Sequence, residues 1–395
     1  MPEPDSRRHA HRGRHPAQDV RKLPAAIPLC GLVDDSGLSG FADGGRESGS
    51  AHGERGLALR GDGMKKMVRN FRHEAGFHCA STALADVMRY HGHNLSEAMC
   101  FGLGAGLGFA YLEETGRSPS RFFSVRALEL EAAFFRHLLG DFQWREGDAF
   151  PWAEMQVYLD AGIPILLLTD LYYLPHYGKS VHFPGHGVVL CGYETDDDGQ
   201  ATLAWLADTN FPDLQPVPLP DLAAAMDVAL PPIPVRNNWH PVEPFPLPDL
   251  TAPLRRAIRA NAQAMLQPSH PNMGVAGMAR LADALPAWAN APDWQWCARF
   301  AYQVIERRGT GGGAFRKMYA RFLRESLAWL PALADADAPS RMETIAQKWT
   351  TLSDWFKMLS EQQIPTGFQQ AADQLRELAS LEKSLFADIL IACEG

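Results

Sequence analysis

The chain has 395 residues, of which 46% are hydrophobic and 21% charged, and its net charge at pH 7 is −9. This composition excludes a fibrous, coiled-coil or mainly disordered protein, and the negative charge argues against nucleic acid as a partner. No apolar run approaches the roughly 20 residues that span a bilayer, so we expect a cytoplasmic protein that does not act at a membrane. The six cysteines include no CxxC pair, which excludes a disulfide scaffold and a cysteine-based metal site.

Residues 1–63 differ in composition from the rest of the chain. They begin with several arginines and continue rich in glycine, serine and aspartate. Their one apolar patch, residues 25–33, is interrupted by Pro28 and Gly31, which makes it too short for a signal peptide. We predict a disordered extension, with a transit or regulatory segment as the alternative, and Met64 as a candidate for the native start.

Residues 64–235 are predicted to form one mixed α/β domain. Apolar residues at helical spacing predict a helix over 79–91, and Ser96 begins a second short helix. The same periodicities predict the later elements: helices over 127–139 and 151–161, and strands over 163–171, 186–194 and 201–208. The turn at 196–199 joins the last two strands in a hairpin. This order predicts an α+β fold in which a helix packs on an antiparallel sheet.

Glycine occupies every second position within residues 101–109. Such a run allows tight turns or a close approach of a ligand to the backbone, which makes Gly104 and Gly106 candidate substrate-binding residues. The run is not a GxGxxG motif and opens no clear helix, so we do not expect a nucleotide site.

Prolines crowd residues 212–253, where no regular helix is expected, and 236–253 form the predicted connector between two domains. Residues 254–395 show apolar stripes at helical spacing, which predict a helical bundle. A glycine-rich loop precedes one of these stripes. It is either a tight turn or a loop that contacts a phosphate, a pantetheine arm or the catalytic domain, and its candidate binding residues are Thr310, Gly311 and Gly312.

Cys79, His186 and Asp208 form the candidate catalytic set. Cys79 stands at the start of a predicted helix, where the helix dipole lowers the pKa of a thiol. A reactive thiol needs a proton partner, and His186 opens an apolar strand that would hold such a base rigidly. Asp208 ends the next strand of the hairpin, which places it near His186 to orient the imidazole. Taken singly, a buried structural cysteine and a structural histidine are the alternatives.

Several segments together resemble a known family: 67–73, 78–84, 96–97, 101–111, 185–190 and 208–210. They are similar to the N-terminal domain of the butirosin biosynthesis protein H family. The helical half, with residues 309–316, resembles the uncharacterised domain that is often fused to it, so the resemblance covers about 65–393. More distantly, the cysteine helix and the histidine strand resemble bacteriocin-processing peptidases that cut double-glycine leaders.

The resemblance implies a papain-like fold that catalyses acyl transfer. The named family member moves an aminoacyl group from an acyl carrier protein thioester to an amine of an aminoglycoside. If this chain acts in the same way, Cys79 would hold the acyl group as a thioester. His186 would take the proton of the thiol and later that of the acceptor amine, and Asp208 would hold His186 in place. The expected partners are an acyl carrier protein or acyl-CoA and an amine-bearing small molecule, in secondary-metabolite biosynthesis. No metal or cofactor is expected besides the phosphopantetheine of the donor, and homo-oligomerisation is left open.

The resemblance also suggests residues around the nucleophile. Papain-like enzymes commonly place an oxyanion-hole glutamine six residues before the cysteine, a position that is His73 here, with Asn70 as a fallback. Further candidates for the substrate site are His78, Tyr172, Tyr173 and His176, which precede the nucleophile or the base in the chain.

Two other functions remain open from the sequence. The same residues would serve a cysteine hydrolase, either a peptidase or a thioesterase, because water exclusion cannot be judged from sequence. A non-catalytic binding module is the third possibility. A basic run in the helical half could bind an acidic carrier protein or simply be a solvated helix face, and it comprises Arg307, Arg308, Arg316, Lys317, Arg321 and Arg324.

Overall fold

The structure, a computed structural model, describes residues 64–114, 116–179, 181–230 and 234–394. The extension predicted over 1–63 lies outside these residues. The described residues form an α+β fold followed by a helical region, as the sequence predicts. Within them, no helix combines the length and the apolar character needed to cross a membrane.

The first half of the described chain carries the strands. Its helices are α1 (Cys79–Tyr90), α2 (Glu97–Leu103), α3 (Leu130–Leu139), α4 (Trp152–Asp160) and α5 (Leu219–Met226). Its strands are β1 (Lys65–Met67), β2 (Leu107–Glu113), β3 (Arg121–Arg126), β4 (Ile165–Asp170), β5 (Pro184–Thr195), β6 (Ala201–Ala207), β7 (Gln215–Pro218), β8 (Asp227–Val228), β9 (Val235–Arg236) and β10 (Trp239–Pro241). Two short 3-10 helices, Leu171–Tyr173 and Pro175–Tyr177, follow β4.

The second half is helical because its apolar residues recur at helical spacing and each helix buries that face. Its helices are α6 (Thr251–Leu266), α7 (Gly274–Trp288), α8 (Trp294–Glu306), α9 (Arg316–Ser326), α10 (Ala332–Asp335), α11 (Ala338–Gln362) and α12 (Phe368–Ala392). The long helix α12 packs on α7 and α6, and α11 packs on α8 and α9.

An antiparallel sheet places the end of one strand beside the start of another. Its strand order is β10-β4-β5-β6-β7, and β1 pairs with the distal part of β5. Val189 of β5 pairs with Ala207 of β6, so the residue after β6 lies next to the first residues of β5. Helix α1 packs on β5. The sheet therefore brings the first turn of α1 close to the β5–β6 hairpin.

Most predicted elements are present with small changes of boundary. Helices α1, α3 and α4 and the β5–β6 hairpin lie where their periodicity predicts them. The expectation that 212–253 contains no regular helix is wrong, because α5 places Pro220 in its first turn, where no N–H is needed. The β2–β3 hairpin was not predicted, since alternating glycines obscure the strand pattern of β2.

The interior consists of two apolar clusters. The smaller one fills the space between the sheet and helices α4 and α5, with Leu167 and Leu222 among its members. The larger one joins α1 to the helical region and includes Leu84, Phe101 and Trp349. Apolar packing is thus continuous across the predicted connector 236–253, and α9 lies directly on α2.

Candidate active site

Cys79 is the first residue of α1. The helix starts there because His78 has an extended backbone, with φ of −118°, and its Nδ1 accepts a hydrogen bond from the Ser81 amide at 3.4 Å. The first amides of a helix have no acceptor within the helix and form the positive end of its dipole. The sulfur of Cys79 therefore occupies a position that stabilises a thiolate.

His186 and Asp208 lie beside Cys79. His186 belongs to β5, and Asp208 directly follows β6. Nε2 of His186 is 2.9 Å from Oδ1 of Asp208, and His186 lies close enough to the Cys79 thiol for the two groups to shift each other's pKa. Because Nε2 faces Asp208, Nδ1 is the ring nitrogen left for the thiol. The structure thus brings these three residues together in one cluster.

The electrostatics of this cluster favour a charged pair, in which Cys79 is a thiolate and His186 an imidazolium. Burial alone would lower the pKa of His186, but the charge and hydrogen bond of Asp208, together with Cys79, raise it to about 10. Burial would likewise raise the pKa of Cys79, but the hydrogen bond and charge of His186 outweigh it and lower the pKa. The pKa of the thiol falls beside a histidine whose pKa rises, and both shifts favour the thiolate–imidazolium form of the pair.

Asp208 accepts two further donors besides His186. Nε2 of His176 is 2.9 Å from its Oδ2, and the Tyr177 hydroxyl is 2.9 Å from its Oδ1. Burial would raise the pKa of Asp208, but His186 and His176 hold it well below its usual range. The sequence suggested that His176 lines the acceptor site. In the structure its bonded nitrogen faces Asp208, so His176 helps to fix the carboxylate that orients His186.

Glu97 holds Phe77 and His78, the residues directly before Cys79, which form its lead-in. Its carboxylate accepts hydrogen bonds from the amides of Phe77 and His78, at 3.0 and 2.8 Å, and from the hydroxyls of Ser81 and Thr82, at 3.1 Å each. Hydrogen bonds to a charged acceptor each contribute about 1.5–3 kcal/mol. One carboxylate on α2 therefore fixes both the lead-in and the first turn of α1.

His78 supports the start of α1 from the other side. Nη1 of Arg126 is 3.0 Å from its Nε2, and the Phe315 ring meets it edge-on with centroids 5.3 Å apart. Phe315 in turn stacks on Phe101 at 5.1 Å. Burial, followed by the charges of Arg126 and His186, holds the pKa of His78 well below its usual value. His78 is thus a buried neutral ring that braces the helix start, whereas the sequence suggested a substrate contact.

Phe315 reaches His78 through an unusual turn. The five consecutive residues 311–315 have positive φ angles of 64°, 86°, 58°, 55° and 66°. Glycine adopts such angles freely, but Ala314 and Phe315 each carry a strain of roughly 1–2 kcal/mol. The turn joins α8 to α9, so the helical region supplies a ring that packs directly beside the nucleophile's helix.

The glycine-rich loop belongs largely to the interior. The Thr310 hydroxyl donates to a carbonyl of α8 at 2.8 Å and accepts from the Gly312 amide at 3.0 Å. The Gly313 amide donates to a carboxylate of α8 at 2.8 Å. These groups are already paired, so the ligand-binding roles predicted for Thr310 and Gly312 have no free donors. Gly311 is partly exposed and lies against Phe77.

His73 has both ring nitrogens occupied. Its Nδ1 is 2.5 Å from Oδ2 of Asp86, and its Nε2 is bonded to the carbonyl oxygens of Asp208 and Phe211, at 3.1 and 2.8 Å. Burial would lower the pKa of His73, but the hydrogen bond and charge of Asp86 raise it. A ring without a spare donor does not serve an oxyanion, so this geometry does not support the predicted role. Asn70, the fallback, lies exposed in a turn with φ of 61° and stays a prediction.

Gly104 and Gly106 are required for packing. A Cβ at residue 104 would lie 2.5 Å from the Leu130 side chain, and one at residue 106 would lie 2.5 Å from the Phe101 ring. Both glycines are buried. Packing accounts for both glycines, because the close neighbour is the protein's own side chain, and their substrate-binding role stays a prediction.

Tyr172 and Tyr173 lie in the first 3-10 helix after β4. Tyr172 stacks on His182 with ring centroids 4.0 Å apart, and His182 Nδ1 is 2.7 Å from a carboxylate oxygen of Asp170. This group belongs to the loop that leads into the strand of His186. A role of the two tyrosines in lining the acceptor site stays a prediction.

Three residues of the site have a role there that the sequence does not predict. Glu97 and Arg126 reach the lead-in of Cys79 only through tertiary contacts. Glu131 on α3 is buried, and its Oε1 lies without a hydrogen-bond partner in the described structure, close to the backbone of Gly187. Burial raises the pKa of Glu131. The nearest sequence signal is the Ser96–Glu97 helix start, which predicts the helix but not the contact of its carboxylate.

Two family models match the chain in succession. The model described as Butirosin biosynthesis protein H, N-terminal, matches residues 78–204, and the model described as Domain of unknown function (DUF4872) matches residues 220–389. The first match contains Cys79 and His186, and Asp208 lies in the short stretch between the two. None of the curated proteins compared with the chain gives a significant match. The identity and order of the two matches agree with the resemblance seen in the sequence.

Proposed function

The chain belongs to the butirosin biosynthesis protein H-like family, and we propose that it is a papain-like acyltransferase. It takes an acyl or aminoacyl group from a phosphopantetheine thioester, on an acyl carrier protein or coenzyme A, and passes it to an amine of a small-molecule acceptor. The family match points to secondary-metabolite biosynthesis. The observation that carries the proposal is the cluster of Cys79, His186 and Asp208, in which His186 is hydrogen bonded to Asp208 and lies beside the Cys79 thiol.

The first half-reaction transfers the acyl group to the enzyme. The Cys79 thiolate attacks the carbonyl carbon of the donor thioester and forms a tetrahedral intermediate. As the intermediate collapses, the bond to the pantetheine sulfur breaks, and the His186 imidazolium gives its proton to the departing thiol. The products are free pantetheine thiol and a Cys79 thioester beside a neutral His186.

In the second half-reaction the acyl group leaves Cys79, and His186 accepts a proton instead of giving one. The acceptor amine attacks the Cys79 thioester, and His186 takes the proton that the amine nitrogen loses. The carbon–sulfur bond then breaks and regenerates the Cys79 thiolate with the amide product. Asp208 keeps the imidazole in the tautomer and orientation that both steps need.

The negative oxygen of the tetrahedral intermediates needs a hydrogen-bond donor. The amide of Cys79 is at the first position of α1, where it has no acceptor in the helix. An oxygen bound there also meets the positive end of the helix dipole. We assign the oxyanion site to this amide, since His73 is committed to Asp86 and two carbonyls.

A papain-like arrangement is supported by the elements that carry the three residues. The cysteine opens a helix that packs on an antiparallel sheet, the histidine lies on a strand of that sheet, and the aspartate follows the next strand. The departure from the usual pattern is His73 at the position where a glutamine is common.

The proposal is tested by trapping the acyl-enzyme. The wild-type protein is incubated with a panel of acyl and aminoacyl coenzyme A thioesters, and intact-mass spectrometry records the acyl adduct. An amino-sugar acceptor is then added and the amide product is measured. Cys79→Ala should abolish both adduct and product, whereas Cys393→Ala, which removes a buried thiol near the end of α12, should retain both.

The outcomes separate the candidate functions. An adduct that decays only to free acid, with no amide from any amine, would favour a hydrolase. Full transfer by Cys79→Ala would contradict the proposal. A thiol-reactive probe that labels Cys79 no faster than the buried Cys191 would favour a non-catalytic binding module.

A further inference from the structure

A cleft of about 190 Å³ lies between the lead-in of Cys79 and helix α9. One wall comes from the first half of the chain and the other from the helical region. We propose that this cleft binds the phosphate and the upper arm of the donor's phosphopantetheine, an assignment that rests on the proposed function. The residues that would contact it are Phe77, Ala98, Gly311, Lys317, Met318 and Arg321.

The cleft is close to the nucleophile. Phe77 precedes Cys79 by two residues, and two residues of chain span at most about 7 Å. Phe77 is also 60% exposed, which is unusual for a large aromatic ring in this protein. A ligand that lies along the Phe77 ring would therefore need only the thiol end of its arm to reach the Cys79 sulfur.

The floor of the cleft is apolar and open. A Cβ at Gly311 would lie 3.4 Å from the Phe77 ring and 3.5 Å from Cε of Met318, so these two side chains flank the glycine. The backbone of Gly311 has φ of +64°, which other residues adopt only with strain. The glycine keeps a shallow trough between an aromatic ring and a thioether, which suits the alkyl and amide groups of a pantetheine arm.

The rim of the cleft carries two cationic side chains, Lys317 and Arg321, beside the carboxylate of Glu97. Lys317 and Arg321 are exposed and occupy the same face of α9, one helical turn apart. Arg321 donates through Nε to Glu325 at 2.8 Å, and its guanidinium has no other hydrogen bond within the described residues. The Nζ atom of Lys317 lies over Gly312 on the side that also faces Glu306.

The carboxylates nearby are already engaged. Glu97, which borders the cleft, accepts hydrogen bonds from the amides of Phe77 and His78 and from two hydroxyls. Glu306 accepts from the Gly313 amide at 2.8 Å and from the Thr350 hydroxyl at 2.7 Å. Glu325 accepts from Nε of Arg321 and from the Ser96 hydroxyl at 2.6 Å. Lys317 forms no ion pair within the described residues, so its ammonium group and the Nη atoms of Arg321 are the donors that a phosphate would meet.

From α9 to the nucleophile, the cleft offers two cations, then an apolar trough and then the Cys79 sulfur. A ligand with a phosphate, an apolar arm and a terminal sulfur fits this order. The phosphate would pair with Lys317 and Arg321, the arm would lie against Phe77 and Met318, and the sulfur would reach Cys79. The same phosphopantetheine occurs on coenzyme A and on a serine of carrier proteins, and the experiment includes both sources.

The experiment uses probes that need no acyl specificity. Mixed disulfides of 2-thiopyridine with pantetheine and with 4′-phosphopantetheine are compared. The Cys79 thiolate attacks the pantetheine sulfur, the disulfide bond breaks, and 2-thiopyridone leaves with the electron pair and is measured by its absorbance. Peptide mapping confirms that Cys79 is the labelled residue, and the readout is the ratio of the two labelling rates.

We expect wild-type protein to react roughly 3- to 10-fold faster with the phosphorylated probe, since exposed ion pairs contribute 0.2–1 kcal/mol each. Lys317→Glu and Arg321→Glu should each bring this ratio toward or below one, and the neutral Lys317→Gln should give an intermediate ratio. Lys383→Glu, a charge reversal on an exposed residue of α12, should keep the wild-type ratio.

A ratio of one in the wild type, or an unchanged ratio in both charge reversals of α9, would overturn the assignment. Two further probes, coenzyme A and a phosphopantetheinylated carrier protein activated in the same way, identify the source: the faster of the two is the donor that the cleft accepts. Because labelling needs no acyl transfer, failure of the proposed reaction and failure of this site are distinguishable.

Discussion

The two sides of Cys79 contribute different kinds of interaction. The sheet side, formed by β5, the residues after β6 and the second 3-10 helix, presents His186 together with the groups that fix its ring, namely Asp208 and His176. The helical side, formed by α2 and the turn before α9, presents Glu97 and Phe315, which fix the backbone that leads into the nucleophile. The proposed proton transfer and the position of Cys79 therefore depend on separate parts of the chain.

This division explains why the helical region is part of the site. The start of α1 is preceded by an irregular segment whose backbone is held from both sides: the Gly76 amide donates to the Thr209 carbonyl at 3.0 Å, and the amides of Phe77 and His78 donate to Glu97. A Cβ at Gly309 would lie 2.9 Å from the carbonyl oxygen of Phe77, so the loop of the helical region rests directly on that segment. The helical region therefore adds its own support to the segment that positions Cys79.

The largest effect is expected on the sheet side. His186→Gln removes the charge that lowers the pKa of Cys79, so burial then dominates and raises the pKa of the thiol. Acyl transfer should fall by about 10²–10⁴, the usual contribution of a general acid–base group. The pH midpoint of Cys79 alkylation by iodoacetamide should move up, and the free energy of unfolding should fall, because the buried carboxylate of Asp208 loses a charged partner.

The matched control for this variant is His182→Gln. His182 lies four residues earlier and bonds to Asp170 instead of Asp208. Its substitution should leave the pH midpoint of alkylation where it is in the wild type. If His186→Gln shows an unshifted midpoint as well, the sheet side does not control the thiolate.

Substitutions on the helical side are expected to affect activity less than His186→Gln does. They should change the position of Cys79 and the free energy of unfolding. Phe315 is buried at 2% exposure, so Phe315→Ala should lower the free energy of unfolding by about 3–5 kcal/mol. It should also slow acylation of Cys79, because His78 loses its edge contact, while the pH midpoint of alkylation stays unchanged. Urea denaturation and the alkylation profile measure the two quantities.

Phe356→Ala gives the matched control, since its ring is fully buried in α11 against Trp288. It should destabilise the protein to a similar extent and leave the acylation rate of the folded fraction unchanged. A shift of the pH midpoint in Phe315→Ala comparable to that of His186→Gln would break the division between the two sides.

The residues on the sheet side could be predicted from the sequence, whereas the contacts on the helical side could not. Cys79 at a helix start and Asp208 opposite His186 follow from local rules, because a helix N-terminus and a hairpin register depend on neighbouring residues. Phe315 could not be predicted beside His78, since its contact depends on a left-handed turn more than 230 residues away. The same limit applies to Arg126, on β3, the partner of the strand whose pattern the glycines obscure.

Gly104 and Gly106 show in another way that a role which depends on tertiary contacts cannot be predicted from the sequence. Gly104 and Gly106 carry the same signal as a glycine that admits a ligand, namely a missing side chain. Whether a ligand or a protein side chain occupies the space depends on what packs opposite, and here that is Leu130 and Phe101. For His73, its position relative to Cys79 predicted an oxyanion role, whereas two carbonyls and Asp86 determine where its nitrogens point.

The smallest effect is expected at His73, which joins the two sides by tying Asp86 of α1 to the backbone behind Asp208. His73→Gln should lower the free energy of unfolding by about 1.5–3 kcal/mol, the contribution of a hydrogen bond to a charged group. Folding raises the pKa of His73 above its ordinary value of 6.5. The stabilisation is therefore complete below pH 6.5 and is lost as the pH rises through the folded-state pKa. Urea titrations should then show a larger loss at pH 6 than at pH 9, whereas an equal loss at both would mean that the bond acts without its charge.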